Sequence, residues 1–302
     1  MTFNDGIRTN PARARSSRGR TGAMVGGIGG VGGIVVLLLY MAIGGNPLDL
    51  IAPTSSQSGP AVAESHGVDL SHCTDGRAAN TYAECRMIAT AESLDEVWKQ
   101  QLPAQADIDY EPANLHLFTQ AVSTGCGDAT SATGPFFCSR DDTVYLDVSF
   151  FTLMESQLGA TNAPLSQEYL LAHEWGHHIQ HITGQLRAVD HRDIGPDSQM
   201  VRMETQADCY AGIWVHYASH SIDPESGEAF VKPITQAQIH DVINATQSVG
   251  DDHIQSQHGH VQPDQWTHGS SDMRTHWFMT GYESGEMGAC NTWTRDFTHH
   301  IQ

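Results

Sequence analysis

Residues 172–178 read Ala-His-Glu-Trp-Gly-His-His, and the spacing inside that run constrains the whole chain. On a helix, side chains four apart share a face. His173 and His177 can therefore aim two imidazoles at one metal ion, with Glu174 beside them to take a proton from a water. The flanks suit a helix: Ser166 offers an N-cap, Gln167 to Ala172 are good helix formers, and Gly184 offers a stop. The spacing predicts a helix of about eighteen residues, with Tyr169, Leu170, Ala172 and Trp175 packing around the metal face. Against 18 histidines among 302 residues, the alternative is a surface helix merely rich in histidine.

A catalytic zinc takes three protein ligands and keeps one position open. A metzincin would carry Gly at 180 and His at 183. This chain has Gln180 and Thr183, which excludes that class. The other common third ligand is a Glu on a second helix. Met200, Met203, Ala207, Ala211 and Trp214 recur at helical spacing, and Glu204 and Asp208, four apart, share one face of that helix. Glu204 is assigned as the third ligand. Asp208 is assigned as acceptor for the free ring nitrogen of His173, a contact that fixes the tautomer and makes the ligand more basic. The competing reading of the pair is a solvated helix face. One zinc ion on His173, His177 and Glu204 is the expectation.

Charge narrows the partners. The chain carries 35 acidic and 15 basic residues, a net −20, and Lys99 and Lys232 are its lysines. Nucleic-acid binding needs a basic footprint, so it is excluded; acidity favours solubility and says little about fold. The N-terminus differs. Arg8, Arg13, Arg15, Arg18 and Arg20 precede an uncharged run from Ala23 to Gly45, long enough to span a bilayer, and the leading arginines set the N-terminus inside. The expected organisation is a cytoplasmic basic tail (1–22), a transmembrane anchor (23–45), a flexible Pro-, Ser-, Gly- and Ala-rich linker (46–68) and one extracytoplasmic domain (69–302). A cleaved signal peptide is the rival, but the run is long for a signal core and no small-residue cleavage site follows it. The Gly-x-x-x-Gly spacing at Gly26, Gly29, Gly30 and Gly33 reads as chance in a glycine-rich run.

All six cysteines lie beyond that run, as an exported domain with disulfides would have them. Local spacing pairs Cys73 with Cys85 and Cys126 with Cys138, leaving Cys209 with Cys290 to tie the Glu204 helix to the C-terminal tail. Zinc ligation by cysteine is the rival reading, and no C-x-x-C pair supports it.

Further helices are expected over 81–101, 235–248 and 271–281, a strand over Leu115–Val122, and a hairpin from Phe136–Ser139 and Val144–Phe150. Strands first and helices afterwards indicate an α+β domain. Val144–Val148 is the candidate edge strand for holding an extended peptide, with an ordinary core strand the alternative. The His- and Gln-rich stretch at His253, Gln255, Gln257, His258, His260 and Gln262 reads as a polar surface loop.

With these segments in place, the chain resembles a known family, the bacterial neutral zinc metallopeptidases, membrane-anchored relatives of the Glu-zincins. The likeness rests on blocks in order: Phe136–Cys138, Val144–Phe151, His173–His178, Glu204–Gly212, Val249–Asp252, Pro263–Ser271, Trp277–Phe278 and Gly281–Gly285. It covers roughly residues 70–292. Ser139–Asp142 departs from the family's usual turn, which commonly has a proline. The resemblance implies a zincin-like fold with a small N-terminal sheet and following helices, and a metal-dependent peptidase.

The chemistry that follows is peptide hydrolysis. Zinc would acidify a water to a pKa of about 7, and Glu174 would take its proton and return one to the leaving amine. His268 is the first candidate to steady the oxyanion, with Tyr282 and Arg274 as alternatives. A structural turn residue is the other reading of His268. The leading reading is a membrane-anchored endopeptidase acting on peptides or proteins. The rival is a non-catalytic zinc-binding scaffold or sensor at the cell surface, which would have no need of Glu174. An intramembrane protease is excluded, because Gln167, Glu168, His177, His178, Gln180 and His181 would sit in lipid at high cost.

Overall fold

The structure, a computed structural model, describes residues 2–18, 67–257, 259–294 and 297. Its β part is two small sheets. Strands β1 (Ala14–Arg18), β2 (Asn114–Thr119), β6 (Thr143–Asp147) and β5 (Phe136–Cys138) lie side by side in that order. The first two pairings are parallel and the last antiparallel. Strands β3 (Ala121–Thr124) and β4 (Gly127–Thr130) form a separate hairpin. The strand expected over Leu115–Val122 is broken at Gln120, whose φ of 71° ends β2 before β3 begins. The arm expected over Val144–Phe150 stops at Asp147. Its carboxylate accepts the Gln120 and Ser149 N–H groups, and the chain then winds into α3 (Phe150–Leu153) and one wider π-turn, Met154–Leu158.

All five residues of β6 are buried, between β2 and β5. The expectation that Val144–Val148 offers an open edge is therefore corrected: β6 is interior, and the edges of the sheet are β1 and β5. A run such as Val144-Tyr145-Leu146 suits a strand covered on both faces.

Helix α1 (Gly76–Thr81) starts on Asp75, whose carboxylate accepts the Ala78 N–H. Helix α2 (Ala83–Ala106) ends at Asp107, in the left-handed region at φ 54°. Helices α4 (Pro164–Ile182), α5 (Gln199–Ala218), α6 (Gln236–Ser248), α7 (Asp251–Ser256) and α8 (Ser271–Ser284) complete the layer. Pro164 takes the first position of α4, where its fixed φ fits. Ser166 is thus inside the helix and not its cap; its hydroxyl donates to the Asp241 carbonyl at 3.0 Å. Trp98, Tyr169, Trp175, Tyr210, Trp214 and Phe278 are fully buried where α2, α4, α5 and α8 meet.

Helices α5 and α8 pack backbone to backbone. A Cβ on Gly212 would stand 2.1 Å from the Phe278 carbonyl oxygen, and one on Gly281 would stand 1.9 Å from that of Cys209. Only glycine permits this approach. The six cysteines pair as Cys73–Cys85, Cys126–Cys138 and Cys209–Cys290.

The N-terminal expectation is corrected. Residues 2–18 are built into the domain, not set apart as a tail. Phe3 and Ile7 are fully buried, and Arg13 pairs with Asp95 at 2.8 Å while lying over the Trp175 ring. Strand β1 adds to the sheet beside β2. Residues 23–45, on which the anchor expectation falls, lie outside the described residues, as does most of the 46–68 linker. Among the described residues no helix is long and apolar enough to cross a membrane. The Ser16 hydroxyl donates to the Val68 carbonyl at 2.7 Å, so β1 lies against residues 67–70, where the described chain resumes. Among the described residues the fold is accordingly α+β with small sheets, and the transmembrane helix of the expectation is not supported.

Candidate metal centre

The centre lies where α4 and α5 come close. A Cβ on Gly176 would lie 2.9 Å from the Ala207 backbone, so glycine inside the histidine motif lets the helices approach. His173 and His177, one turn apart, meet Glu204 across that contact. The Nε2 atoms of His173 and His177 stand 3.2 and 3.4 Å from Glu204 Oε2. One ligand atom from each residue falls within 4.8 Å of the others, a grouping able to hold a metal ion. All three residues are buried.

The second nitrogen of each ring is engaged. His173 Nδ1 is 2.8 Å from Asp208 Oδ1. A carboxylate only accepts, so Nδ1 donates to Asp208, which leaves Nε2, facing Glu204, as the ring nitrogen that would ligate a metal. His177 Nδ1 is 2.9 Å from Gln180 Oε1. The Gln180 amide nitrogen donates to the Met203 carbonyl (2.7 Å) and to Gln206 Oε1 (3.0 Å), which leaves its oxygen to accept from His177. Gln206 in turn donates to the Cys290 carbonyl at 3.0 Å. Two imidazoles, each oriented through its Nδ1 by a partner, and a carboxylate match the donor chemistry of zinc.

Asp208 is the hub of the other side. It accepts from Tyr169 Oη (2.5 Å) and from Arg274 through Nε (2.8 Å) and Nη2 (2.9 Å). Arg274 also donates to the Val249 carbonyl at 3.1 Å. Burial alone would lower the pKa of both histidines, but carboxylates outweigh it: Asp208 and Glu204 hold His173 up at about 10, and Glu204 raises His177. Burial would raise Glu204, yet His177 and His268 hold it well below the usual range. Burial likewise would raise Asp208, and Arg274 with His173 keeps it at about 2. These carboxylates stay ionised, and their field favours a cation at the centre.

Glu174 and His268 line the same cleft as His173, His177 and Glu204. His268 Nε2 is 3.9 Å from Glu204 Oε2. Its loop is set by Asp251, whose Oδ2 accepts the N–H groups of Thr267, His268 and Gly269 at 2.7, 2.7 and 3.0 Å. Arg274 reaches the cleft wall but is committed to Asp208. Tyr282 does not line the cleft; its ring stacks on Phe278 and its carbonyl accepts from His216.

Sequence reasoning passed over Gln180, Gln206 and Asp251, and took Tyr169 for apolar packing only. Spacing held a signal for two of them. Tyr169 lies four before His173 and Gln180 three after His177, each on the motif's own face. Asp251 and Gln206 act on distant segments and leave no local mark. The His- and Gln-rich stretch begins as α7, where His253 Nε2 contacts the Leu158 carbonyl at 3.0 Å.

Comparison with known proteins gives the family. The chain is 38% identical over 295 residues to the uncharacterized protein Rv2575 of Mycobacterium tuberculosis strain H37Rv, an alignment covering 97% of this chain and 98% of that one. It is 34% identical over 249 residues to the uncharacterized protein YpfJ of Escherichia coli K12, covering 76% of this chain and 83% of that one. No solved structure matches it. Residues 5–293 match the family described as "Putative neutral zinc metallopeptidase", and over nearly its whole length the chain belongs to that family.

Proposed function

We propose that the protein is a zinc-dependent endopeptidase in which His173, His177 and Glu204 hold the ion, Glu174 is the general base and His268 steadies the oxyanion. The observation that carries the reading is the convergence of those three donors in one cleft with Glu174. Zinc, when bound, supplies a Lewis acid that acidifies a water and polarises a carbonyl.

The chain's own residues do the rest. Glu174 takes a proton as water adds to the peptide carbonyl, then passes it to the leaving amine. Asp208 and Gln180 keep the two imidazoles in the ligating tautomer. His268, held by the Asp251 loop, donates to the developing oxyanion, a contribution of about 3 kcal/mol. The free edge of β5 gives an extended substrate a strand to pair with, since Gly134, Pro135 and Phe137 line the cleft. The three disulfides support action in an oxidising compartment outside the cytoplasm.

The test is zinc content and casein cleavage for the protein and for Glu174→Gln. Zinc at one ion per chain in both, with cleavage lost in the variant by at least about a hundredfold, is the expected outcome. Equal cleavage by both would remove Glu174 from the chemistry. Bound zinc with no cleavage of any peptide would favour a non-catalytic scaffold.

A further inference from the structure

Part of the cleft wall has no part in holding the ion or moving protons. Phe150, Leu170, Val249 and Ile254 line it. Phe150 and Ile254 stand apart from the main core, in a small cluster with Met154, Leu158 and Ala160, and Leu170 and Val249 pack against it. This cluster therefore backs one side of the cleft and leaves Leu170 and Val249 only partly covered.

Its placement relative to the chemistry follows from the helix. Leu170 lies four residues before Glu174 on α4, on the same face and one turn away. A substrate whose carbonyl sits at Glu174 thus lays a neighbouring side chain over Leu170. Phe150 is held from the other side by Gly134, which has a left-handed φ of 71°; a Cβ there would come within 3.2 Å of two ring carbons. Of the charged groups nearby, Arg274 is paired with Asp208, and Asp251 accepts the His268-loop N–H groups through Oδ2 with its Oδ1 3.6 Å from His268 Nδ1. An acidic substrate side chain laid on this wall would lose its water and gain no partner from Arg274, which is committed to Asp208; that loss is costly. The chain's net charge of −20 further disfavours acidic peptides.

We propose that this wall is the specificity pocket of the peptidase, and that it selects a large aliphatic or aromatic side chain on a residue flanking the scissile bond. The proposal rests on the peptidase reading above.

The test uses acetylated peptide amides of sequence Ala-Gly-Gly-Xaa-Ala-Ala, with Xaa as Leu, Phe, Gly or Asp. Cleavage by the zinc-loaded full chain is followed by mass spectrometry, and binding to Glu174→Gln is followed by calorimetry. Leu and Phe peptides should exceed Gly and Asp peptides by at least about tenfold in both kcat/KM and affinity, from burial of one side chain. Leu170→Asp, at a partly exposed position, should abolish that preference while zinc stays bound. Val249→Ser, checked by circular dichroism, should weaken it and serves if the first variant does not fold. Glu174-dependent cleavage with no preference among the four peptides would overturn the pocket and leave the peptidase standing. Absence of all cleavage would sink the peptidase reading; the calorimetry then still decides the pocket, with equal affinities overturning it.

Discussion

Asp208→Asn separates two roles that meet in one carboxylate. Asp208 is fully buried and receives four donors: His173 Nδ1, Tyr169 Oη and Arg274 Nη2 at Oδ1, and Arg274 Nε at Oδ2. Asparagine has one accepting oxygen. Its best placement keeps that oxygen at the Oδ1 position and turns its NH2 towards Arg274 Nε–H, so two donors face each other. Arg274, also buried, then loses a hydrogen bond and its counter-charge together. Breaking a buried pair by removing one partner costs about 3–5 kcal/mol, and this loss should appear in urea unfolding of the metal-free protein. His173 keeps an acceptor but a neutral one, so zinc affinity should fall roughly ten- to a hundredfold, measured by competition with a chelator. Adding Arg274→Met to Asp208→Asn removes the stranded cation. The double variant should regain about half or more of the lost stability and little of the zinc affinity. A folded Asp208→Asn protein that binds zinc within about twofold of the parent would refute the ligand-orienting role. A stability loss under about 1 kcal/mol would refute the buried-pair argument.

Gln180→Leu removes the acceptor at His177 Nδ1 and should weaken zinc roughly tenfold; Gln180→Glu, which keeps an acceptor there, should lose less, both by chelator competition. The Cys209–Cys290 bond closes a separation of 81 residues, so replacing both with Ser should cost about 4 kcal/mol in denaturant unfolding, and an unchanged midpoint would refute that. Burial pushes the Glu92 carboxyl up from 4.5 to about 7, so the folded state holds this proton more tightly than the unfolded chain. Its contribution is therefore fully present below pH 4.5 and lost as pH climbs through 7. Glu92→Gln can still accept the Asn10 N–H, and its stability advantage over the parent should grow from pH 4.5 to 8 towards a ceiling of about 3 kcal/mol; an advantage that shrinks over that range contradicts the sign.

What could be read in the sequence depended on how far each partner lay along the chain. His173 with His177, and Glu204 with Asp208, are repeats within single helices, so a spacing of four carries their meaning before any fold is known. The same rule reaches Tyr169 and Gln180, which share the motif's face. Pairings between distant segments carry no such mark. Arg13 reads as part of a basic run, yet its partners are Asp95 and the Trp175 ring. Charge counted along a sequence cannot tell a solvated tail from a 3-10 turn whose arginine pairs with a half-buried carboxylate. Choosing β6 as the edge strand uses its closeness in sequence to α4, whereas an edge is decided by which strands pair. Here β2 and β5 cover both sides of β6, and β1 covers the far side of β2. The continuous apolar run of β6 marks a strand covered on both faces, but Phe136-Phe137-Cys138 of β5 is buried in the same way, so only the pairing separates an interior strand from an edge. Pairing leaves the three-residue β5 at the rim of the described sheet, with Phe137 lining the cleft beside His173 and His177.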